Sequence, residues 1–180
     1  MRCFIALECP SEVKDVLAIV QDEIRSLGDL KLVEPENLHL TLKFLGEVKD
    51  EDVPKVSWAL ESLQFNSYET TVKGVGVFPK EDYVRVIWAG FEDGGSTKDL
   101  AGVIDSIMRS LGFPAEERFH PHITLARVDS IRDKGRLKEL LGRDAGRVFG
   151  GYTISKVLLM KSVLSPKGPI YSVIKEVKLA

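Results

Sequence analysis

His39-Leu40-Thr41-Leu42 and His122-Ile123-Thr124-Leu125 are the two stretches on which the fold of this chain turns. Each reads histidine, aliphatic, threonine, leucine. Around the first, Leu38, Leu40, Leu42 and Phe44 alternate with His39, Thr41 and Lys43. That period of two makes a strand with one apolar and one polar face. Around the second, Ile123 and Leu125 point one way, and His120, His122 and Thr124 the other. The chain has 180 residues and three histidines, and two of the three occupy matched places 83 positions apart.

The likeness extends outward from the motifs. Val13, Val16, Leu17, Val20, Ile24 and Leu27 recur at helical spacing, with Ser11 as the expected N-cap and Gly28 as the stop. Leu100, Val103, Ile104, Ile107, Met108 and Leu111 do the same between Ser96 and Gly112. The first helix ends Ile24-Arg25-Ser26-Leu27-Gly28 and the other Met108-Arg109-Ser110-Leu111-Gly112. From Gly28 to His39 is 11 positions, and from Gly112 to His122 is 10. An apolar strand precedes each helix (Phe4 to Leu7, Tyr83 to Phe91), and a further helix follows each motif (Asp50 to Leu63, Ile131 to Leu141). Strand–helix–strand–helix is therefore expected twice, approximately over 1–65 and 83–142, inside one domain spanning 1–180. Such a duplication packs about a pseudo-two-fold axis and sets the two histidines on opposite walls of one cleft. Leu30 to Val33, Ser67 to Val77, Tyr152 to Leu164 and Ile170 to Leu179 read as the remaining strands.

Composition narrows the classes. Apolar residues make up 44% and charged residues 29%, as in ordinary globular domains. The net charge of −2 excludes a basic coat, so a nucleic-acid partner must be held by a local patch. Two cysteines, Cys3 among them on a strand pattern, make neither a disulfide framework nor a metal ribbon. The opening apolar run is too short for a signal peptide or a membrane span, so a cytoplasmic monomer is expected.

Two histidines facing one reacting centre can act as base and acid together, the arrangement that in-line displacement at a phosphodiester requires. A threonine two residues on lies on the same strand face, and its hydroxyl can donate to a non-bridging phosphate oxygen. Lys43 and Arg127 are the nearest cations, although strict alternation turns Arg127 to the apolar side unless a bulge intervenes. Three other readings stay open at this point. His120, His122 and His39 could ligate a metal, although the threonines would then have no task. The cleft could grip a phosphate without turnover, or it could act on some other small cyclic or 2′-5′ linked nucleotide.

Asn37-Leu-His-Leu-Thr-Leu-Lys-Phe-Leu-Gly46 and Phe119-His-Pro-His-Ile-Thr-Leu-Ala-Arg127 resemble the paired signatures of the two-histidine phosphoesterases, and among them the RNA 2′,3′-cyclic phosphodiesterases, also called 2′-5′ RNA ligases. The resemblance includes Met1-Arg-Cys-Phe-Ile-Ala6, Gly76-Val-Phe-Pro79 with Val84-Arg-Val-Ile-Trp88, and Leu164-Ser-Pro-Lys-Gly-Pro-Ile-Tyr171. It implies a bilobal α+β fold, with antiparallel sheets lining a central cleft. It implies hydrolysis, without metal or cofactor, of 2′,3′-cyclic phosphates on RNA 3′ ends or nucleotides to 2′-phosphates, with possible 2′-5′ joining. Carried over, it makes His39 the proton donor and His122 the proton acceptor. Thr41, Thr124 and Arg127 become phosphate contacts, and Lys43 is a further candidate.

Overall fold

Period-two patterning builds most of this protein, which is described here over residues 1–180 by a computed structural model. The strands are β1 (Arg2–Glu8), β2 (Gly28–Leu32), β3 (His39–Glu47), β4 (Tyr68–Lys80), β5 (Tyr83–Glu92), β6 (His122–Ile131), β7 (Val148–Ile154), β8 (Lys156–Ser165) and β9 (Gly168–Lys178). The helices are α1 (Ser11–Ile24), α2 (Val53–Glu61), α3 (Ser96–Arg109) and α4 (Lys134–Asp144). All nine strands join one antiparallel sheet in the order β7-β4-β5-β6-β3-β1-β8-β9, with β2 paired to the far end of β6. This is the α+β class expected.

The sheet divides naturally at its middle. β3 and β6 share a single bridge, Leu40 with Ile123, whereas the hairpins on either side are extensively paired. β1 meets β3 and β5 meets β6 in corresponding registers. Leu7 faces Leu40 and Ala6 faces Thr41; Ala89 faces Ile123 and Trp88 faces Thr124. The helices cross between the halves: α1 packs against β6 and β7, and α3 against β3. Each covers apolar strand faces with the stripe read from its sequence, including Leu17, Val20 and Ile24 on α1 and Leu100, Ile104 and Met108 on α3. No helix is long and apolar enough to cross a membrane.

Local chemistry departs from the sequence reading in several places. Ser11 and Ser96 are the first helical residues and make no capping bond. At α3 the cap falls to Asp93, whose carboxylate accepts from the Thr97 N–H and hydroxyl at 3.3 and 2.6 Å. Residues 50–52 form a 3₁₀ turn before α2, with Pro54 in the first helical turn. Gly28 opens β2: a Cβ there would lie 2.1 Å from the Ser130 carbonyl of β6, so close strand approach requires the glycine. Strand structure begins at His122, not His120, and the 152–164 run is interrupted at Ser155 between β7 and β8. The second cysteine is Cys9; both thiols are free and buried.

Candidate active site

Twin bulges shape the motif strands. Beside the motifs, Ile5 pairs with Lys43 and Ala6 with Thr41, leaving Leu42 as an extra residue of β3; Ile87 pairs with Ala126 and Trp88 with Thr124, leaving Leu125 as an extra residue of β6. A bulge breaks strict alternation. Two consecutive residues turn inward, Leu42 with Lys43 and Leu125 with Ala126, and the next turns out, Phe44 and Arg127. This resolves the parity objection to Arg127, which lines the cleft. It also corrects the expectation for Lys43. That side chain is only 3% exposed, and its Nζ donates to Asp105 Oδ1 at 2.7 Å and to the Pro114 carbonyl at 2.8 Å. Lys43 borders the cleft, but its ammonium is engaged by these two internal partners.

The cleft between the halves has a volume of about 910 Å³ and is lined by His39, Thr41, His122, Thr124 and Arg127 together. The Leu40–Ile123 bridge, extended by one residue either way, sets His39 across from Thr124 and Thr41 across from His122. Each imidazole is oriented alike: His39 Nδ1 donates to the Asn37 carbonyl at 2.6 Å, and His122 Nδ1 to the His120 carbonyl at 2.7 Å. Nε2 is then the nitrogen left for chemistry in both rings. His39 Nε2 lies 2.8 Å from the Thr41 hydroxyl.

Aromatic rings enclose both histidines. Phe4 and Tyr171 pack on His39 with centroids at 5.1 and 5.3 Å, and Phe78 packs on His122 at 5.1 Å. Burial therefore holds both imidazoles below the usual histidine range, partly offset by the hydrogen bond each gives to its carbonyl. The charges of His120 and Arg127 lower His122 further; those of Lys14 and His122 lower His39. His120 packs its ring on Trp88 at 4.8 Å and serves His122 through its backbone carbonyl. No group of three His, Cys, Asp or Glu side chains converges with metal-ligand geometry.

Sequence reasoning did not single out the other wall residues. Phe4, Phe78 and Tyr171 reach the cleft from β1, β4 and β9, and Arg2, Arg118 and Phe119 also line it. All of these except Arg118 lie in segments that carried the family likeness, which was the available signal. Beside the arginines Arg2, Arg118 and Arg127 and the internally paired Lys43, the lining holds one acid, Glu116. The cleft is cationic although the whole chain is slightly acidic, the local patch that a phosphate ligand needs.

The family described as LigT-like phosphoesterases matches residues 7–88 and 94–171. An RNA 2′,3′-cyclic phosphodiesterase of Methanocaldococcus jannaschii is 38% identical over 176 residues, covering 98% of this chain and 99% of that protein. One of Aeropyrum pernix is 38% identical over 168 residues, covering 91% and 95%. Among solved structures, TT0787 of Thermus thermophilus superposes with a TM-score of 0.80 at 32% identity, covering 99% of this chain and 97% of that one. The LigT of E. coli, solved with 3′-AMP, has the same fold, with a TM-score of 0.80 at 24% identity and the same coverage.

Proposed function

The chain belongs to the LigT-like phosphoesterase family, and on that premise we propose that it opens 2′,3′-cyclic phosphates on RNA 3′ ends or nucleotides to 2′-phosphates. The supporting observation is the pair of like-oriented imidazoles, with Nε2 available in each, on the two walls of one cationic cleft. His122 Nε2 takes a proton from water as the water oxygen bonds to phosphorus. The P–O3′ bond breaks on the opposite side, and protonated His39 gives its Nε2 proton to O3′. The products are a 3′-hydroxyl and a 2′-phosphomonoester. Replacing the water by the 5′-hydroxyl of a second RNA yields a 2′-5′ linkage through the same transfers.

Thr41, Thr124 and Arg127 hold the non-bridging oxygens and stabilise charge that develops on them. The Thr41–His39 contact adds a coupling. Neutral His39 accepts from the Thr41 hydroxyl; protonated His39 donates to it, and the hydroxyl proton is then free for phosphate. The approximate duplication of the two halves supplies one of each pair from each wall. The test is incubation with a nucleoside 2′,3′-cyclic phosphate and phosphorus NMR of the product. Wild type is expected to give the 2′-phosphate, while His39→Ala and His122→Ala are each slowed by about 10²–10⁴-fold. Undiminished turnover in either variant overturns the assignment, and tight binding without product identifies a phosphate-end binding module instead.

A further inference from the structure

β3 and β6 carry the two histidines, yet one bridge joins them. A displacement of about 1 Å can cost about 10²-fold in rate when two groups act on one centre, so the spacing of these strands needs further support. Two mostly buried side chains on the crossing helices supply it from equivalent places. Gln21 stands seven residues before Gly28, and Asp105 seven before Gly112.

Gln21 is 4% exposed, and its Nε2 donates to the Val33 carbonyl at 2.8 Å and the Leu125 carbonyl at 3.0 Å. Val33 lies six residues before His39, and Leu125 is the bulge residue of β6. Gln21 thus ties the approach to His39 onto the strand that bears His122. Asp105 makes the mirror connection. Its Oδ1 accepts the Glu116 N–H at 3.0 Å, six residues before His122, and accepts from Lys43 Nζ on β3. Lys43 also reaches the Pro114 carbonyl of the same approach. The registers explain why one tie is ionic and the other is not. Lys43 and Ala126 hold the same place after their bulges, so β3 offers an ammonium where β6 has only a backbone carbonyl nearby.

We propose that Gln21 and the Lys43–Asp105 pair are matched positioning residues, two cross-ties that set the separation of His39 and His122. The proposal rests on the acid–base reading above, and its test is built to fail separately. In Lys43→Ala and in Gln21→Leu, kcat for a cyclic nucleotide is expected to drop about tenfold or more with KM within about threefold, at temperatures where circular dichroism shows a folded chain. The decisive variant transplants the other half's solution: Lys43→Ala with Asp105→Gln reproduces the Ala126 and Gln21 pairing. It is expected to recover kcat to within about threefold of wild type. A folded double variant no faster than Lys43→Ala, or folded single variants at wild-type kcat, overturns the proposal. A rise in KM that the double variant does not reverse marks Lys43 as a direct phosphate ligand, and overturns it too.

An NMR arm needs no turnover. His122→Gln is expected to raise the His39 titration midpoint in the wild-type background. That response should weaken in the Lys43→Ala background and return with Asp105→Gln. Wild-type inactivity would refute the function and leave this arm to decide the ties; a His39–His122 coupling unchanged by Lys43→Ala would refute the ties.

Discussion

The rate profile against pH tests both the environment and the roles of the two histidines. In the proposed mechanism the productive state carries one proton, on His39 and not on His122. Burial holds both rings below the usual histidine value of 6.5 in the free protein, and the nearby cations act in the same direction. Above that range the protonated fraction of His39 falls tenfold per pH unit. The alkaline limb of kcat/KM is therefore expected below pH 6.5, with a loss of about tenfold between pH 6.5 and 7.5. Bound substrate changes this. A phosphate charge about 4 Å from the ring, at an effective dielectric constant of about 20, favours the imidazolium by about 4 kcal/mol, equivalent to at most about three pH units. The limb of kcat is therefore expected at least about one unit to the alkaline side of that of kcat/KM. Initial rates with a cyclic nucleotide over the pH range, fitted separately for kcat and kcat/KM, give both limbs. Residual activity in His39→Ala should lose the alkaline limb, and in His122→Ala the acid limb. An alkaline limb of kcat/KM above pH 6.5 would refute the burial argument, coincident limbs for kcat and kcat/KM would refute the effect of the phosphate charge, and the opposite losses would exchange the two roles.

Thr41→Val and Thr124→Val are each expected to lower kcat by about 10–100-fold, and Arg127→Ala to raise KM as well, measured by the same assay; unchanged kinetics would remove them from the phosphate site. Asp144 is 2% exposed and paired with Arg143 at 2.9 Å; burial pushes its carboxyl up, but the hydrogen bond and charge of Arg143, with those of Arg147, outweigh it and hold the group below the usual range. Its contribution is complete at neutral pH and is lost as pH falls from about 4 through the folded-state value, so Asp144→Ala should cost about 1–2 kcal/mol in neutral urea melts and less in acid, the Arg143 left behind being half exposed and still paired with Glu23. Gly76→Ala puts a Cβ 2.2 Å from the Trp88 ring, itself packed on Phe78 and His120, and is expected to destabilise by about 1–3 kcal/mol in the same melts.

The legible parts of this molecule are those whose signals are local. Helix stripes, strand alternation and the repeated His-x-Thr were all in the text of the chain, and the structure places both motifs on neighbouring strands lining one cleft. What was illegible depends on partners remote in sequence. No local pattern tells that α1 packs on β6 or that Gln21 reaches the Leu125 carbonyl, because those contacts join residues about a hundred positions apart. The bulges are the most instructive case. Alternation gave Lys43 a free ammonium at the cleft and turned Arg127 away from it; the bulges bury Lys43 against Asp105 at the cleft's edge and bring Arg127 to the lining. The two motifs, aligned against each other, held a trace of this: Lys43 stands against Ala126, and Phe44 against Arg127. A lysine matched to an alanine is odd on a shared polar face but is reasonable in an interior that supplies Asp105.

That exchange also bears on the opposite tasks proposed for two nearly identical strands. Thr41 and Thr124 stand in the same register, and both rings give Nδ1 to a carbonyl two residues upstream, so the motifs alone favour neither acid nor base. The difference comes from what surrounds them. His39 lies between Phe4 and Tyr171, with the 67% exposed Phe44 further along its strand. His122 has Phe78 against it and the charges of Arg127 and His120 nearby, which oppose a proton on its own ring. Burial and the charge of Lys14 oppose a proton on His39 as well, so both rings are held low and the proposed acid must gain its proton from the charge of the bound phosphate. What distinguishes the two walls in sequence is the second place after each bulge residue, Arg127 on one and Phe44 on the other.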